Sequence, residues 1–344
     1  MDVKQHNLNL DFLAEKLAGK KIMVSGATGL VGAAIVRYIM QLNDKRDANI
    51  CIFPLFRNKD KFNQLFDAAE CREDFCPLIF DTDNNIDFKQ EVDYIIHCAG
   101  ISGGSKMHLK DPVRIFDIGV NGTRKLLDYA ALNKCQGFLY VSTYEVYGNV
   151  SMDEPIDETH PSLLNPMVLR DSYAEVKRLC ESMCVAFSAK YGFNVYSGRL
   201  TSTFGTGVKY DDPRFFAEFA RCTTAGKDIV LKSKGGTVRN YLDVDDAASA
   251  FLYILANGEN LNAYNLTNRN NQISIKDIAL KIIKLDGERV KLVFDIDESN
   301  SMGFRKEGKT VMNPDKLEAI GWKPVFSLDE TLTKLLEAIR SKIK

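Results

Sequence analysis

A tyrosine and a lysine four residues apart form the most chemically informative pair in this sequence. Tyr173 and Lys177 lie in the stretch S-Y-A-E-V-K, and a helix through it brings both side chains to one face. An ammonium beside a phenol favours the phenolate, which can take a proton from an alcohol as hydride leaves its carbon. Because this spacing is common, the pair indicates redox catalysis only beside a cofactor site.

Hydroxyl and carboxylate side chains follow one another at the end of a predicted strand. The sequence from Val141 to Gly148 is V-S-T-Y-E-V-Y-G, in which Ser142 and Thr143 precede Glu145, a single carboxylate among aromatic and aliphatic neighbours. Open α/β sheets bind ligands at the carboxyl ends of their strands. Glu145 is therefore a candidate functional carboxylate, and the alternative is a structural one that caps a loop.

A glycine-rich turn follows the first apolar run of the chain. Its sequence, G-A-T-G-L-V-G, sets backbone N–H groups and a helix N-terminus against a pyrophosphate. A glycine triplet alone is weak evidence, but its place in the first βα unit predicts a dinucleotide. The cofactor-binding residues predicted in this turn are Gly26, Thr28, Gly29, Leu30, Val31 and Gly32.

The end of the second predicted strand distinguishes NAD from NADP. An Asp there accepts hydrogen bonds from the adenosine ribose and rejects a 2′-phosphate. This chain has Phe56-Arg57-Asn58-Lys59 instead, and the Arg57 guanidinium can bind a 2′-phosphate with two hydrogen bonds. The cofactor is thus predicted to be NAD or NADP, with Arg57 favouring NADP and Asn58 beside it; the alternative for Arg57 is a solvated surface charge.

Three further segments complete the predicted cofactor site. Asp81 and Thr82 follow the third strand and are candidates for adenine contact, and Ala99-Gly100 after the fourth strand can pass beneath the cofactor. His97 is expected to be a packed strand histidine. Lys177, with Tyr173, is also predicted to hold the nicotinamide ribose.

Short apolar runs alternate with helical patterns along the first 200 residues, which predicts a parallel sheet with helices on both faces. The predicted strands are Lys21–Ser25, Ile50–Phe56, Tyr94–Cys98, Gly137–Ser142 and Asn194–Leu200, and the predicted helices are Ala33–Leu42, Pro112–Leu132 and Ala174–Lys190. Pro54 conflicts with the second strand, because proline lacks the N–H that a central strand needs.

A smaller lobe is predicted after residue 200. Lys232–Val238 is a hairpin candidate, Leu328–Ile343 a terminal helix, and Val244–Ala256 a helix that returns to the first lobe. The predicted division gives residues 1–200 and 240–262 to a dinucleotide-binding domain. Residues 201–239 and 263–344 form the predicted substrate-binding lobe.

Composition bounds the class of protein. The 344 residues are 45% hydrophobic, and 45 basic side chains balance 46 acidic ones, which gives no reason to expect a nucleic acid or membrane partner. No stretch approaches the roughly 20 apolar residues that cross a bilayer. The eight cysteines form no C-x-x-C pair, so we expect reduced, mostly buried thiols, no metal site and a cytoplasmic location.

The chain resembles the extended short-chain dehydrogenases/reductases of the nucleotide-sugar epimerase/dehydratase family. The resemblance covers residues 21 to about 332 and rests on Gly26–Gly32, Val141–Gly148, Tyr173 with Lys177, Arg239–Asp246 and Met312–Pro324. It implies a doubly wound α/β Rossmann domain with a smaller C-terminal substrate-binding lobe. It also implies a nucleoside-diphosphate sugar as substrate and a homodimer formed through two helices, one of which carries the tyrosine and lysine.

The family pattern also assigns roles in substrate binding and catalysis. Thr143, with Ser142 beside it, matches the hydroxyl residue that hydrogen-bonds the reacting oxygen of the substrate. Guanidinium groups suit a diphosphate, and the arginines assigned to it are Arg239, Arg214 and Arg305. Tyr144 and Ser202 complete the predicted substrate-binding residues.

Two subfamilies share the strand-end motif. Sugar 4,6-dehydratases have S-T-D-E-V-Y-G, whereas this chain has Tyr144 in place of the general acid Asp. The segment Arg170–Arg178 and the run from Asp211 to Phe216 resemble UDP-glucuronate decarboxylases. Gly119 and Ser202, which replace expected asparagines, and Arg57, where the decarboxylases have Asp, depart from the decarboxylase pattern.

The resulting hypothesis is oxidation of a nucleotide-linked sugar at C4 to a 4-keto intermediate, which eases epimerisation, elimination or decarboxylation, with Glu145 acting near C5 or C6. The alternative enzyme is a stoichiometric NADPH-dependent reductase of a nucleotide-linked keto sugar or ketose. The alternative of another class is a non-catalytic NAD(P)-sensing protein.

Overall fold

The computed structural model describes residues 1–69, 71–81, 86, 88–100, 111–148, 150–296 and 307–342. Two predicted site residues, Thr82 and Arg305, lie outside these ranges. The strands are β1 (Lys21–Ser25), β2 (Cys51–Phe56), β3 (Leu78–Ile79), β4 (Tyr94–His97), β5 (Gly137–Thr143), β6 (Asn194–Leu200), β7 (Ser202–Phe204), β8 (Ile229–Leu231), β9 (Val238–Asp243), β10 (Asn262–Leu266), β11 (Gln272–Ser274), β12 (Leu292–Phe294) and β13 (Lys309–Thr310).

The helices of the described residues surround these strands. They are α1 (Val3–Leu17), α2 (Leu30–Arg46), α3 (Lys59–Phe66), α4 (Pro112–Phe116), α5 (Gly122–Leu132), α6 (Ser172–Tyr191), α7 (Phe215–Thr224), α8 (Val244–Asn257), α9 (Ile275–Leu285), α10 (Asp315–Ala319) and α11 (Leu328–Arg340). A π-helical turn, Asp117–Asn121, joins α4 to α5. None of these helices is long and apolar enough to cross a membrane.

Seven parallel strands form the central sheet in the order β10-β6-β5-β4-β1-β2-β3. Successive side chains face opposite sides: Ile22 and Val24 join one hydrophobic cluster with α1, α2 and α8, while Met23 joins the cluster under α5 and α6. Both faces are thus covered by helices, which confirms the predicted doubly wound α/β fold. The strand order reverses between β1 and β4, and sheets of this kind bind ligands at that point.

Pro54 fits into β2 because its backbone nitrogen points towards the short neighbouring strand β3 and away from β1. The backbone N–H of Ile52 donates to the carbonyl oxygen of Asp74 at 2.8 Å, and the carbonyl oxygen of Phe56 accepts from the N–H of Phe80 at 2.9 Å. The backbone N–H and C=O groups of the even-numbered residues of β2 therefore point away from β1, towards β3. The missing N–H of Pro54 therefore falls on the side of β3, which has only two residues. The pairing of β2 with β1 is continuous from Cys51 to Leu55.

The second lobe contains two small sheets packed against α7, α9 and α11. The hairpin predicted at Lys232–Val238 is wrong: β8 pairs in parallel with β12, whereas β9 pairs with β7, β11 and β13. Ile229 and Leu231 of β8 are buried in the core of the lobe, whereas Val230 between them is exposed.

The chain returns to the first lobe between residues 244 and 266. Helix α8 packs against α2, as the sequence predicts, and β10 pairs in parallel with β6 at the edge of the central sheet. β10 runs from Asn262 to Leu266, so the predicted boundary after residue 262 falls within this strand. Only three cysteines, Cys135, Cys180 and Cys184, are buried, so the expectation that most are buried is wrong.

Candidate active site

The turn between β1 and α2 is built so closely that it needs glycine. A Cβ on Gly32 would lie 2.3 Å from the carbonyl oxygen of Gly26, and one on Gly26 would lie 2.8 Å from the nitrogen of Ala99. Gly29 is the N-cap of α2 and has no side chain, so the capping residue offers no side-chain acceptor to the first-turn N–H groups. These donors fit the diphosphate of a dinucleotide.

The fourth strand ends directly against this turn. The Ala99 N–H donates to the Ser25 hydroxyl at 3.2 Å, and the same hydroxyl lies 2.6 Å from Nδ1 of His97. The other ring nitrogen of His97 lies 3.0 Å from the hydroxyl of Thr123, and burial lowers the pKa of His97 to about 3. His97 is therefore a neutral, packed strand residue, and Ala99-Gly100 borders the crevice between β1 and β4.

Lys177 connects α6 to the end of β5. Its ammonium donates to the carbonyl oxygen of Val141 at 2.8 Å and lies 4.7 Å from the centre of the Tyr140 ring. A Cβ on Gly100 would be 3.6 Å from Nζ, so Lys177 also reaches the crevice. Burial lowers the pKa of Lys177.

Tyr173 lies at the start of α6 and forms a side-chain hydrogen bond with Thr143 at the end of β5. Burial raises the pKa of Tyr173, and the negative charge of Glu145 raises it further. The expectation that Lys177 lowers the Tyr173 pKa is not met: burial and the Glu145 carboxylate raise this pKa, and the main groups that lower it are Thr143 and Arg170.

Glu145 is held in an ion pair with Arg170. The N–H of Glu145 donates to the Thr143 hydroxyl at 3.3 Å, which begins a 3₁₀ turn, Tyr144–Tyr147, after β5. Nη1 of Arg170 lies 2.8 Å from Oε2 of Glu145, and the two side chains are only 18% and 13% exposed. The structure therefore places the Glu145 carboxylate near Tyr173. Arg170, in the segment that precedes α6, balances the negative charge of this carboxylate.

Tyr144 and Arg239 join the two lobes beside this pair. Nη1 of Arg239 donates to the Tyr144 hydroxyl at 2.5 Å, and the guanidinium lies 5.4 Å from the centre of the ring. Among the described residues, Nε of Arg239 and the buried hydroxyl of Ser142 have no hydrogen-bond partner. These groups are available to a polar ligand at the carboxyl end of β5.

The remaining predicted residues lie elsewhere or have protein partners. Arg214 is paired with Asp212, with Nη2 2.6 Å from Oδ2, and stacks on the Phe216 ring. Ser202 lies in β7, opposite Tyr241 of β9. Asp81 lies two residues after the end of β3.

The segment after β2 carries the residues predicted to distinguish NAD from NADP. Arg57 is exposed, and the side chain of Asn58 caps α3 by accepting from the N–H of Lys61 at 2.8 Å. Asn58 therefore has a structural partner, while the guanidinium of Arg57 faces solvent.

Sequence reasoning missed Arg170 as a site residue. Its position three residues before Tyr173 could have indicated this role, since residues one helical turn apart both lie near the end of β5.

Comparisons with known proteins identify the family of this chain. The model of the NAD dependent epimerase/dehydratase family matches residues 22–267. UDP-glucuronic acid decarboxylase 6 of Arabidopsis thaliana is 24% identical, over 94% of this chain and 90% of its own length. The dTDP-D-glucose 4,6-dehydratase of Homo sapiens is 25% identical, over 93% of this chain and 90% of its own length.

Solved structures show the same fold. The epimerase Mth375 from Methanothermobacter thermautotrophicus superposes with a TM-score of 0.82 at 19% identity, covering 98% of this chain and 96% of that chain. UDP-glucuronic acid 4-epimerase from Bacillus cereus, solved in complex with NAD, gives a TM-score of 0.78 at 20% identity, covering 94% of this chain and all of that chain.

Proposed function

Because the chain belongs to the NAD dependent epimerase/dehydratase family, we propose that it oxidises a nucleotide-linked sugar at C4 and uses the resulting 4-keto group for proton chemistry at C5 or C6. The observation that carries this proposal is the Glu145–Arg170 ion pair beside the hydrogen-bonded Thr143 and Tyr173. Family membership makes the chain an enzyme with a nicotinamide cofactor, as the glycine-rich turn predicted. That cofactor, when bound, accepts hydride from C4 and can return it.

Tyr173 and Thr143 act on the C4 oxygen in this proposal. Thr143 holds the hydroxyl of the substrate, and Tyr173 takes its proton as the C4–H bond breaks. A phenol with a raised pKa stays protonated at neutral pH, so it can act as a base only when a nearby positive charge lowers its pKa. We assign that charge to Lys177, which lies one helical turn away on α6.

Glu145 acts on the neighbouring carbon. A 4-keto group acidifies the C5–H bond and makes a C6 carboxylate a β-keto acid, which loses carbon dioxide readily. In epimerisation at C5, the charged Glu145 carboxylate beside Arg170 can accept the C5 proton. In decarboxylation, Glu145 must first take up a proton from solvent, which it then gives to C5 after carbon dioxide leaves. The same pair therefore serves both epimerase-type and decarboxylase-type reactions.

Tyr144 argues against water elimination. The family's dehydratases place a general acid at this position, whereas Tyr144 is engaged by Arg239. Arg239 is the arginine that we assign to the diphosphate of the substrate, because its Nε has no partner among the described residues. The ion pair with Asp212 makes Arg214 a weaker candidate.

The substrate class and the assembly follow from the relatives and from the surface. The named relatives act on UDP-glucuronate and dTDP-glucose, so we propose a nucleoside-diphosphate sugar. We also propose a homodimer formed through α5 and α6. Leu132, Leu179 and Val185 on these helices are 83%, 46% and 47% exposed, which suits burial against a second copy.

A stoichiometric NADPH-dependent reductase is the second candidate function. Arg57 favours it, because an exposed guanidinium at the end of β2 suits a 2′-phosphate and net reductases draw on free NADPH. This candidate uses Tyr173 as an acid towards a keto sugar and leaves Glu145 without a proton to transfer.

One assay separates the two candidates. The purified protein is incubated with UDP-glucuronate, dTDP-glucose and UDP-glucose while product mass and cofactor absorbance are followed. We expect a product of changed mass or configuration from at least one sugar, with no net change in the cofactor. Consumption of NADPH in step with product would support the reductase instead, and no turnover of any sugar would contradict the proposed reaction.

A further inference from the structure

A buried histidine has hydrogen-bond partners at both ring nitrogens. Nδ1 of His97 lies 2.6 Å from the hydroxyl of Ser25, the last residue of β1, and Nε2 lies 3.0 Å from the hydroxyl of Thr123 in α5. These three residues are at most 1% exposed. The ring of His97 therefore connects the first strand of the sheet to a helix that covers it, and no step proposed at C4 or C5 uses it.

The two ends of this arrangement fix the direction of its hydrogen bonds. The N–H of Ala99 can only donate, and it donates to the Ser25 hydroxyl at 3.2 Å. The carbonyl oxygen of Gly119 can only accept, and the Thr123 hydroxyl donates to it at 2.6 Å. Because that hydroxyl has a single proton, Nε2 of His97 must donate to the Thr123 oxygen. We call this run of hydrogen bonds from Ala99 to Gly119 the His97 network.

The ring of His97 is neutral and restricted to one tautomer. Burial and the positive charge of Lys177 lower the pKa of His97 to about 3, so only one ring nitrogen carries a proton at neutral pH. That proton lies on Nε2, which leaves Nδ1 to accept from the Ser25 hydroxyl. Loss of the hydroxyl of Ser25 or Thr123 would leave a buried ring nitrogen without a partner.

One end of the His97 network borders the cofactor crevice. Ser25 precedes the glycine-rich turn, and a Cβ on Gly26 would lie 2.8 Å from the nitrogen of Ala99. A Cβ on Gly100 would lie 3.6 Å from Nζ of Lys177. The hydrogen bond from Ala99 to Ser25 therefore holds this border of the crevice against the turn and beside the lysine.

The other end of the His97 network lies against α6. Gly119 belongs to the π-helical turn before α5, and a Cβ there would lie 2.5 Å from Cγ1 of Val176 in α6. The Thr123 hydroxyl also lies 3.4 Å from Sγ of Cys180, one turn further along α6. Single π-turns inside helices occur frequently at functional sites. The network thus ends on the helix that carries the tyrosine and lysine.

We propose that His97 is a positioning residue, whose ring links the border of the cofactor crevice to α6 so that cofactor affinity depends on the whole His97 network. A histidine that only filled the core would stabilise the fold and leave cofactor affinity unchanged. This role requires the nicotinamide cofactor of the family and is independent of the reaction at C4.

Nitrogen-15 NMR of protein labelled at histidine tests the tautomer. The chain has four histidines, and the signals of His97 are identified by their shift in Thr123→Val. We expect Nε2 of His97 to carry the proton and Nδ1 to be unprotonated at neutral pH. A proton on Nδ1, or on both nitrogens, would contradict the fixed direction of the His97 network.

Thr123→Val tests whether the end against α6 affects the cofactor. The variant nearly keeps the shape of the side chain and removes the hydroxyl between His97 and Gly119. Calorimetry uses whichever of NAD and NADP the wild-type chain binds more tightly. We expect affinity to fall about fivefold or more, the lower range of couplings between sites. Unchanged affinity would overturn the proposal.

The matched control removes another buried hydroxyl. Ser188→Ala, near the far end of α6, loses a 2.8 Å hydrogen bond to the carbonyl oxygen of Phe193 and touches no member of the His97 network. It should lower Tm and keep the cofactor affinity of the wild-type chain. An equal loss of affinity in Ser188→Ala and Thr123→Val would show a general effect of stability and overturn the proposal.

A double variant tests whether the two ends act as one unit. Ser25→Ala alone should weaken cofactor binding, because the N–H of Ala99 loses its acceptor. Ser25→Ala combined with Thr123→Val should bind no more weakly than the weaker single variant, since one break already interrupts the His97 network. Losses that multiply would show two independent effects and overturn the link through His97.

Discussion

Arg170 and Glu145 form a 2.8 Å ion pair at the carboxyl end of β5, where both side chains are largely removed from solvent. Arg170 precedes α6 and Glu145 follows β5, so the pair ties together the two elements that carry Tyr173 and Thr143. A carboxylate next to a guanidinium stays charged over a wider pH range than one alone. This relationship makes Glu145 suitable as a base and gives Arg170 a positioning role.

Replacement of Arg170 tests that role. Arg170→Gln should shift the acidic limb of the pH–rate profile upward by roughly one to three pH units, because the lost positive charge makes protonation of Glu145 easier. The control is Arg178→Gln on the exposed face of α6, where Arg178 is paired with Glu175. A fall in rate without a shift in the profile would indicate that Arg170 only stabilises the fold.

Removal of the Tyr173 hydroxyl tests proton transfer at the C4 oxygen. Tyr173→Phe should lower kcat by about 10²- to 10⁴-fold, the usual contribution of a general acid or base. Cofactor affinity, measured by fluorescence titration, should stay within about threefold because the ring still packs in place. Tyr191→Phe, at the exposed end of the same helix, should have no effect on kcat. Unchanged turnover in Tyr173→Phe would refute the assignment.

Arg239 and Arg214 should differ in their effect on substrate binding. Arg239→Gln removes a guanidinium with an unpartnered Nε and should weaken UDP binding by about tenfold or more. Arg214→Gln should leave UDP affinity nearly unchanged, because Asp212 already occupies that guanidinium. Calorimetry with UDP measures both. A larger loss in Arg214→Gln would reverse our assignment of the diphosphate.

The sequence predicted the fold well where periodicity is local. All five predicted strands of the first lobe are present, and β1 and β6 have the predicted bounds. Helix α1, by contrast, was not predicted, although Leu10, Leu13 and Leu17 occur at helical spacing and are buried. The hairpin prediction failed because the partner of β8 is β12, which lies some 60 residues further along the chain.

The candidate site was predicted in part for the same reason. Local motifs identified four candidate residues: Thr143, Glu145, Tyr173 and Lys177. Thr143 and Glu145 are close because both lie at the end of β5, and Tyr173 and Lys177 are close because one helical turn separates them. The contact between Tyr144 and Arg239 spans 95 positions in the chain, and no local pattern specifies it. Contacts of this kind depend on how the lobes pack.

Deuterium incorporation from solvent tests the central claim most directly. The sugar nucleotide that turns over is converted in D₂O with a catalytic amount of cofactor, and the product is analysed by mass spectrometry and NMR. Proton chemistry through Glu145 predicts one non-exchangeable deuterium at C5, with no net change in the cofactor and loss of the label in Glu145→Gln. A product without deuterium at C5, formed together with stoichiometric oxidation of NADPH, would contradict the account.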